Sequence, residues 1–120
     1  MAGLKIAAPF VFLAGLTAPC PTQAQMLLVG NKGEDTVSFV DFRTGNECAR
    51  VPTGKAPHEI ALSPDGRRAA VVAYGGTTVD IFDIASARLA KRIDIAPNDG
   101  PHGIAWVSAN RIVLAADRSN

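Results

Sequence analysis

The two histidines of the chain occupy the same position in a repeated segment. The segment PHEIA at 57–61 recurs 44 residues later as PHGIA at 101–105. Imidazoles at equivalent positions of neighbouring repeats can converge, and together they could bind a metal ion or an anionic ligand. His58 and His102 are therefore the candidate ligand- or metal-binding residues. The alternative is that each imidazole only hydrogen-bonds a backbone carbonyl in a structural loop. The second copy has glycine in place of Glu59, so the sequence does not predict a repeated His-Glu pair.

Several acidic and turn residues are predicted to have structural roles. Asp41 and Asp83 each end a predicted strand just before a turn, where a carboxylate usually accepts hydrogen bonds from backbone N–H groups. Pro64, Asp65 and Gly66 belong to a predicted hairpin turn, in which proline restricts φ and glycine takes the positive-φ position. No catalytic residue is predicted, because the sequence has no Ser-His-Asp motif, no Gly-x-Ser-x-Gly elbow and no Cys-x-x-Cys pair. The motifs therefore favour a role other than that of an enzyme.

The composition limits the classes of protein to which the chain can belong. It has 120 residues, of which 48% are hydrophobic and 19% are charged. These proportions predict one folded domain rather than a disordered tail. The formal net charge of +1 gives no basic excess to attract phosphates, so nucleic acid is not a predicted partner. Two cysteines cannot form a disulfide scaffold, and Cys48 is expected to be a half-buried packing residue.

Residues 1–24 have the pattern of a secretory signal peptide. A single lysine precedes an apolar stretch at 6–18, and the small residues Thr22 and Ala24 occupy the positions that a signal peptidase requires. We expect cleavage near Ala24 and a periplasmic or secreted protein, with no stable membrane span after cleavage. The apolar stretch is shorter than the roughly 20 residues that a transmembrane anchor needs. A lipid anchor at Cys20 is the other alternative, but the residues before it do not fit the usual lipoprotein pattern.

A repeat of 42–44 residues accounts for most of the chain after the signal segment. VSFVD at 37–41 recurs as VDIFD at 79–83, and the apolar segments LLVGN, AVVAY and IVLAA follow one another at spacings of 42–43. Within one repeat, short apolar or alternating segments between Gly, Pro and Asp turns predict four antiparallel strands. The segment AVVA is apolar on both faces, so both faces of its sheet must be covered. Four strands in about 42 residues make a unit the size of a β-propeller blade, and radial stacking of blades covers both faces.

These segments resemble the YVTN-type β-propeller repeat family. The most specific match is GKAPHEIALSPDG at 54–66, and LVGN at 28–31 and VSFVD at 37–41 match two further motifs of the family. The resemblance covers 25–120, although SANR at 108–111 replaces the Ser-Pro-Asp-Gly turn in the last repeat. It implies a propeller fold, an extracytoplasmic location and a role as a binding or interaction module. Related propellers include lactonases and metal- or haem-containing enzymes.

The predicted fold is all-β, built from β-propeller blades of four antiparallel strands. The domain at 25–120 would contain repeat units at about 25–57, 58–101 and 102–120, which make about two and a half blades of an incomplete ring. A closed ring needs roughly four to eight blades. We therefore expect either the N-terminal part of a longer propeller, or several short chains that close a ring by self-association through open blade edges.

The predicted function is binding of a protein or small-molecule ligand by an extracytoplasmic propeller. No cofactor is predicted, apart from a metal ion at the mouth of the ring, where His58 and His102 would lie. One alternative is a propeller enzyme of the lactonase type, or of the metal- or cofactor-dependent oxidoreductase type, with its site at the same mouth. The other alternative is a fragment without a function of its own.

Overall fold

The chain folds into β-strands that are joined by short turns. The computed structural model describes residues 25–118, so the predicted signal peptide at 1–24 lies outside the described residues. Within 25–118 there are nine strands in three antiparallel sheets. The strands of the first sheet are β1 (Met26–Asn31), β2 (Thr36–Asp41) and β3 (Glu47–Pro52); those of the central sheet are β4 (Pro57–Leu62), β5 (Arg68–Ala73), β6 (Thr78–Asp83) and β7 (Arg88–Asp94); those of the third sheet are β8 (Pro101–Ser108) and β9 (Arg111–Ala116).

The central sheet contains the four consecutive antiparallel strands that the sequence predicts for one blade. Its strands pair in chain order, β4-β5-β6-β7, and the first sheet likewise has the order β1-β2-β3. Each strand pairs with the next in the chain because tight turns bring consecutive strands side by side. The predicted all-β class with blade-like antiparallel sheets is therefore confirmed.

The turn between β4 and β5 shows how local sequence sets the register of a blade. The amide of Gly66 donates to the carbonyl of Ser63 at 2.8 Å, and Gly66 has a φ of 70°. An L-residue with a side chain adopts that conformation only at an energetic cost, which glycine avoids. The closed turn places Leu62 opposite Ala69, and the pairing continues from there along both strands.

The three sheets stack face to face, and the central sheet packs against another sheet on each side. Successive residues of a strand point to opposite faces. Val71 and Phe82 therefore face the first sheet, where the rings of Phe39 and Phe82 meet edge to face with centroids 6.1 Å apart. Val72 and Ile81 face the third sheet. The first sheet packs against one face with Met26, Leu28, Val37, Ala49 and Val51. The third sheet packs against the other face with Ile104, Trp106, Ile112 and Leu114.

A buried carboxylate ties the central sheet to the loop that precedes it. Asp80 of β6 is fully buried and accepts hydrogen bonds from Arg92 of β7 at 2.6 Å and 2.9 Å. The bond to Asp80 raises the pKa of the Arg92 guanidinium. Asp80 also accepts the amide of Gly54 at 2.7 Å. A Cβ at Gly54 would lie 2.6 Å from the Cβ of Ala73, so this close approach requires glycine.

Two expectations about single residues and membranes can be compared with the described chain. Cys48 is exposed, so the expectation of a half-buried packing thiol is wrong. It lies on β3, the outermost strand of its sheet, and it is the extra residue of a bulge, because Phe39 pairs with Ala49 while Val40 pairs with Glu47. Among residues 25–118 no helix is both long enough and apolar enough to cross a membrane.

Candidate functional site

The inner strands of the central and third sheets lie side by side. β4 and β8 contact each other along their length, and the indole nitrogen of Trp106 on β8 donates to the carbonyl of Ala61 on β4 at 3.0 Å. Each strand begins with a buried proline, Pro57 or Pro101. Proline is tolerated as a first strand residue because no ladder hydrogen bond from its nitrogen is needed there. The histidines that follow are therefore at the start of strands, not in the preceding loops.

Both strands carry a β-bulge at the histidine. The register of β4 against β5 shifts between Pro57 and Ile60, and that of β8 against β9 shifts between Pro101 and Ile104. A bulge leaves residues unpaired and changes the direction in which their side chains point. The repeated Pro-His segment thus produces the same local irregularity in both strands. His58 lies at the first bulge.

The structure brings the two predicted histidines together. The imidazole centroids of His58 and His102 are 4.6 Å apart, with an angle of 41° between the ring planes. His58 is exposed, and 42% of the His102 side chain is accessible. The two rings therefore contact each other from neighbouring sheets, and an external ligand can reach them.

Glu59 joins the histidines, although the sequence did not identify it as a site residue. Its Oε1 lies 3.4 Å from Nδ1 of His102, the histidine of the neighbouring sheet. Gly103 of β8 lies beside this carboxylate, and a Cβ there would be 3.9 Å from Oε2 of Glu59, which is an ordinary contact distance. The His-Glu pair that is not repeated in the sequence is therefore formed between two sheets. One donor atom each from His58, Glu59 and His102 lie within 4.8 Å of one another.

Tyr74 is the second residue of the site that sequence reasoning missed. It follows directly after β5, and its ring centroid lies 5.4 Å from that of His58 and 5.8 Å from that of His102. Two cations lie over the same ring: Nζ of Lys32 at 5.2 Å and the guanidinium carbon of Arg118 at 4.8 Å from its centroid. An aromatic face attracts cations at these distances. The signal that could have found Tyr74 is that it is the single tyrosine of the chain. We call His58, Glu59, Tyr74 and His102 the histidine cluster.

The predicted turn residues lie at the opposite end of the central sheet. Asp83 pairs with Arg68 at one end of the sheet, whereas Pro57 pairs with Ala73 at the end that carries the histidines. Asp83 accepts the hydroxyl of Ser86 at 2.7 Å and its amide at 2.8 Å, and these bonds lower its pKa.

The other two carboxylates have comparable surroundings. Asp65 accepts the hydroxyl of Ser63 at 2.6 Å and the amide of Arg67 at 3.1 Å, which lower its pKa in that order; Pro64 and Gly66 flank it in the same turn. Asp41 accepts the amide of Arg43 at 2.9 Å. All of these contacts are within single turns, so these carboxylates do not take part in the histidine cluster.

An apolar groove elsewhere in the chain is a packing gap. It has a volume of about 540 Å³ and lies between the central and third sheets, with Val79, Ile93 and Ile112 among its walls. The central sheet has four strands there, while the third sheet has two described strands. The outer strands β6 and β7 therefore face a region that β8 and β9 do not reach. The apolar lining of the groove is therefore the outer part of this face of the central sheet, which the third sheet does not cover.

Solved structures share this arrangement of sheets. The chain superimposes on hydrazine synthase of Kuenenia stuttgartiensis with a TM-score of 0.71 and 26% identity, covering 80% of this chain and 27% of that one. For the dihydro-haem d1 dehydrogenase NirN, solved in complex with DHE, the TM-score is 0.69 and the identity 20%, covering 78% and 20%. For the β-propeller domain of Cps50 (Swd1) from Myceliophteria thermophila, the TM-score is 0.68 and the identity 17%, and the match covers 81% of this chain and 31% of that one.

These comparisons establish the fold and its extent. No protein-family profile matches the chain, and no curated protein matches it. The chain spans less than a third of the length of each of these three structures, with shares of 27%, 20% and 31%. Residues 25–118 therefore form part of a β-propeller, with the histidine cluster at the start of two adjacent inner strands.

Proposed function

We propose that the chain is part of an extracytoplasmic β-propeller of the YVTN repeat type that binds a ligand through the histidine cluster. The observation that carries this proposal is the 4.6 Å approach of His58 and His102, which occupy the same position in consecutive repeats. Inner strands of a propeller surround its central channel. Groups at the start of β4 and β8 therefore face the mouth of that channel.

The chemistry of the cluster supports ligand binding. It combines two imidazoles, one carboxylate and one phenol on a surface that solvent reaches, and the cation of Lys32 lies at its edge. Arg118, over the same tyrosine ring, is paired with Asp99. Imidazoles and carboxylates are metal ligands, and cations at a channel mouth attract anions. The location outside the cytoplasm is supported by the signal pattern at 1–24 and by the repeat motifs. The identity of the YVTN family is supported by the segment at 54–66.

A propeller enzyme of the metal- or cofactor-dependent oxidoreductase type is the second candidate. It is favoured by the likeness to two structures named as a synthase of hydrazine and a dehydrogenase of dihydro-haem d1. The likeness covers 27% and 20% of those two chains, so most of each enzyme has no counterpart in this chain. Binding is the better-supported function because it needs only the groups that the cluster contains. The lactonase alternative has no such observation in its favour.

The test is a titration of the full chain, labelled with ¹⁵N, with zinc chloride, sodium phosphate and sodium citrate as separate probes. The chain has two histidines, so a His58→Gln and a His102→Gln variant assign the imidazole signals. We expect at least one probe to shift both imidazole signals with saturation. Asp83→Asn, at the other end of the sheet, is the matched control and should bind that probe unchanged. If none of the three probes shifts either signal in the folded chain, the proposal is wrong.

A further inference from the structure

We propose that His58, Glu59 and His102 bind one divalent transition-metal ion, with zinc as the reference metal. This inference rests on the proposed function and names the class of its ligand. The three residues come from the starts of two inner strands, β4 and β8, which belong to different sheets. A metal ion here would therefore join two blades as well as occupy the mouth of the channel.

The spacing of the donor atoms fits a metal ion. Zinc binds imidazole nitrogen and carboxylate oxygen at about 2.0–2.2 Å, so two ligands of a tetrahedral site lie about 3.3 Å apart. Oε1 of Glu59 and Nδ1 of His102 are 3.4 Å apart, which matches this separation. The same distance is longer than the roughly 2.7–3.2 Å of an ordinary N–H···O hydrogen bond. The observed pair is thus at the spacing of two ligands on one ion.

The third ligand is also within reach. All three donor atoms lie within 4.8 Å of one another, so the donor that is furthest away has to approach by at most about 1.5 Å. His58 is exposed, so its side chain can change rotamer, and its ring then shifts against the rings of His102 and Tyr74. Metal binding therefore needs side-chain rotation without movement of the strands.

A backbone irregularity places the carboxylate correctly. His58 and Glu59 are consecutive, and in a regular strand they would point to opposite faces. The bulge of β4 between Pro57 and Ile60 lets both residues contribute to one group. The sequence difference between the two repeats, Glu59 in one and Gly103 in the other, therefore gives one carboxylate to the pair of histidines.

The donor set predicts the chemistry of the site. Two imidazoles and one carboxylate form a three-ligand set of the kind that leaves a zinc ion with an open position for water or an external ligand. Imidazole suits zinc, copper, iron and nickel, whereas magnesium and calcium prefer oxygen ligands. The site should therefore select transition metals over magnesium. Lys32, which lies over Tyr74 of the histidine cluster, would attract an anion that completes the coordination, whereas Arg118 is already paired with Asp99.

The experiment is calorimetric titration of the full chain with zinc chloride, carried out in a background in which both cysteines, Cys20 and Cys48, are changed to serine. Removing the thiols leaves the histidines as the preferred nitrogen or sulfur ligands. We expect one zinc ion per chain and no binding of magnesium chloride. Glu59→Gln should weaken zinc binding by at least about tenfold, since even the loss of an outer-shell partner costs about 10–100-fold. Glu34→Gln, a glutamate of the exposed pair with Arg50, is the matched control and should leave zinc binding unchanged.

Histidine variants complete the test. His58→Gln and His102→Gln should each weaken zinc binding at least as much as Glu59→Gln, and far-UV circular dichroism checks that each variant keeps its strands. If a variant loses its strands, the ¹⁵N titration of the wild-type chain still tests the metal site, because zinc bound there must shift the imidazole signals of both histidines. Zinc binding that is absent, or equal in Glu59→Gln and Glu34→Gln, overturns the metal site. If phosphate or citrate shifts the imidazoles while zinc does not, the metal site fails and the binding function stands.

Discussion

Strands β1, β5 and β9 are equivalent in the repeat, yet they differ sharply in burial. β5 is buried from Ala69 to Ala73. Val29 of β1 pairs with Ser38, and Val71 of β5 pairs with Asp80, which is the equivalent residue of the next repeat. The two valines are therefore equivalent in the sheets, but 38% of Val29 is exposed against 1% of Val71. In β9, Val113 is 53% exposed. The three strands have similar apolar sequences, so the difference comes from whether another sheet covers each face.

The comparison shows that each repeat supplies an apolar sheet face, and that this face is buried only where a neighbouring blade packs against it. The central sheet packs against a sheet on each side, whereas the first and third sheets each have one described neighbour. An apolar face without a neighbour contributes no burial energy and attracts other apolar surfaces. The exposed sides of Val29 and Val113 lie on the faces that no described sheet covers.

The largest difference is expected from the equivalent valines. Val71→Ala removes buried methyl groups from the core against Phe39 and Phe82 and should lower the free energy of unfolding by about 2–3 kcal/mol. Val29→Ala makes the same chemical change on an exposed face and should change it by less than about 0.5 kcal/mol. Urea denaturation of the full chain, followed by circular dichroism, measures both. Equal effects of the two substitutions would mean that the face around Val29 is covered in solution.

The two arginines at equivalent positions give a smaller contrast. Arg92 pairs with the buried Asp80, whereas Arg50 pairs with the exposed carboxylates of Glu34 and Glu47. A hydrogen bond to a buried charged group contributes more than an exposed ion pair, which water and salt screen. Asp80→Asn should lower the free energy of unfolding by about 2 kcal/mol.

The matched change on the surface pair is Glu47→Gln, and we expect it to have little effect. Urea midpoints at low and high salt separate the two pairs, because screening weakens exposed pairs and affects buried ones much less. A loss of stability in Glu47→Gln as large as that in Asp80→Asn would contradict the contrast.

The sequence was sufficient for the strands because the signals are local. The predicted segments AVVA and VDIFD lie within β5 and β6, since alternation and the turn residues between them depend on neighbours in the chain. The positions of Glu59 and Tyr74 in the site were missed because they depend on contacts between sheets. Glu59 reaches His102 of another repeat, and its direction depends on a bulge that no single residue type marks.

The smallest expected effect concerns the turn carboxylates at the end of the sheet opposite the histidines. The hydroxyl and amide of Ser86 hold the pKa of Asp83 below its ordinary value. A carboxylate whose pKa is lowered in the folded state stabilises the fold at pH values above its unfolded pKa of about 3.9. That contribution is lost as the pH falls from there through the lower folded pKa.

Asp83→Asn cannot titrate, so its urea midpoint should fall less between pH 5 and pH 2 than that of the wild type. If Asp83→Asn retained the full pH dependence, the turn hydrogen bonds would contribute nothing to the stability of the central sheet. Asp41 accepts comparable turn hydrogen bonds in the first sheet, so the difference in burial between the two sheets comes from the coverage of their faces in either outcome.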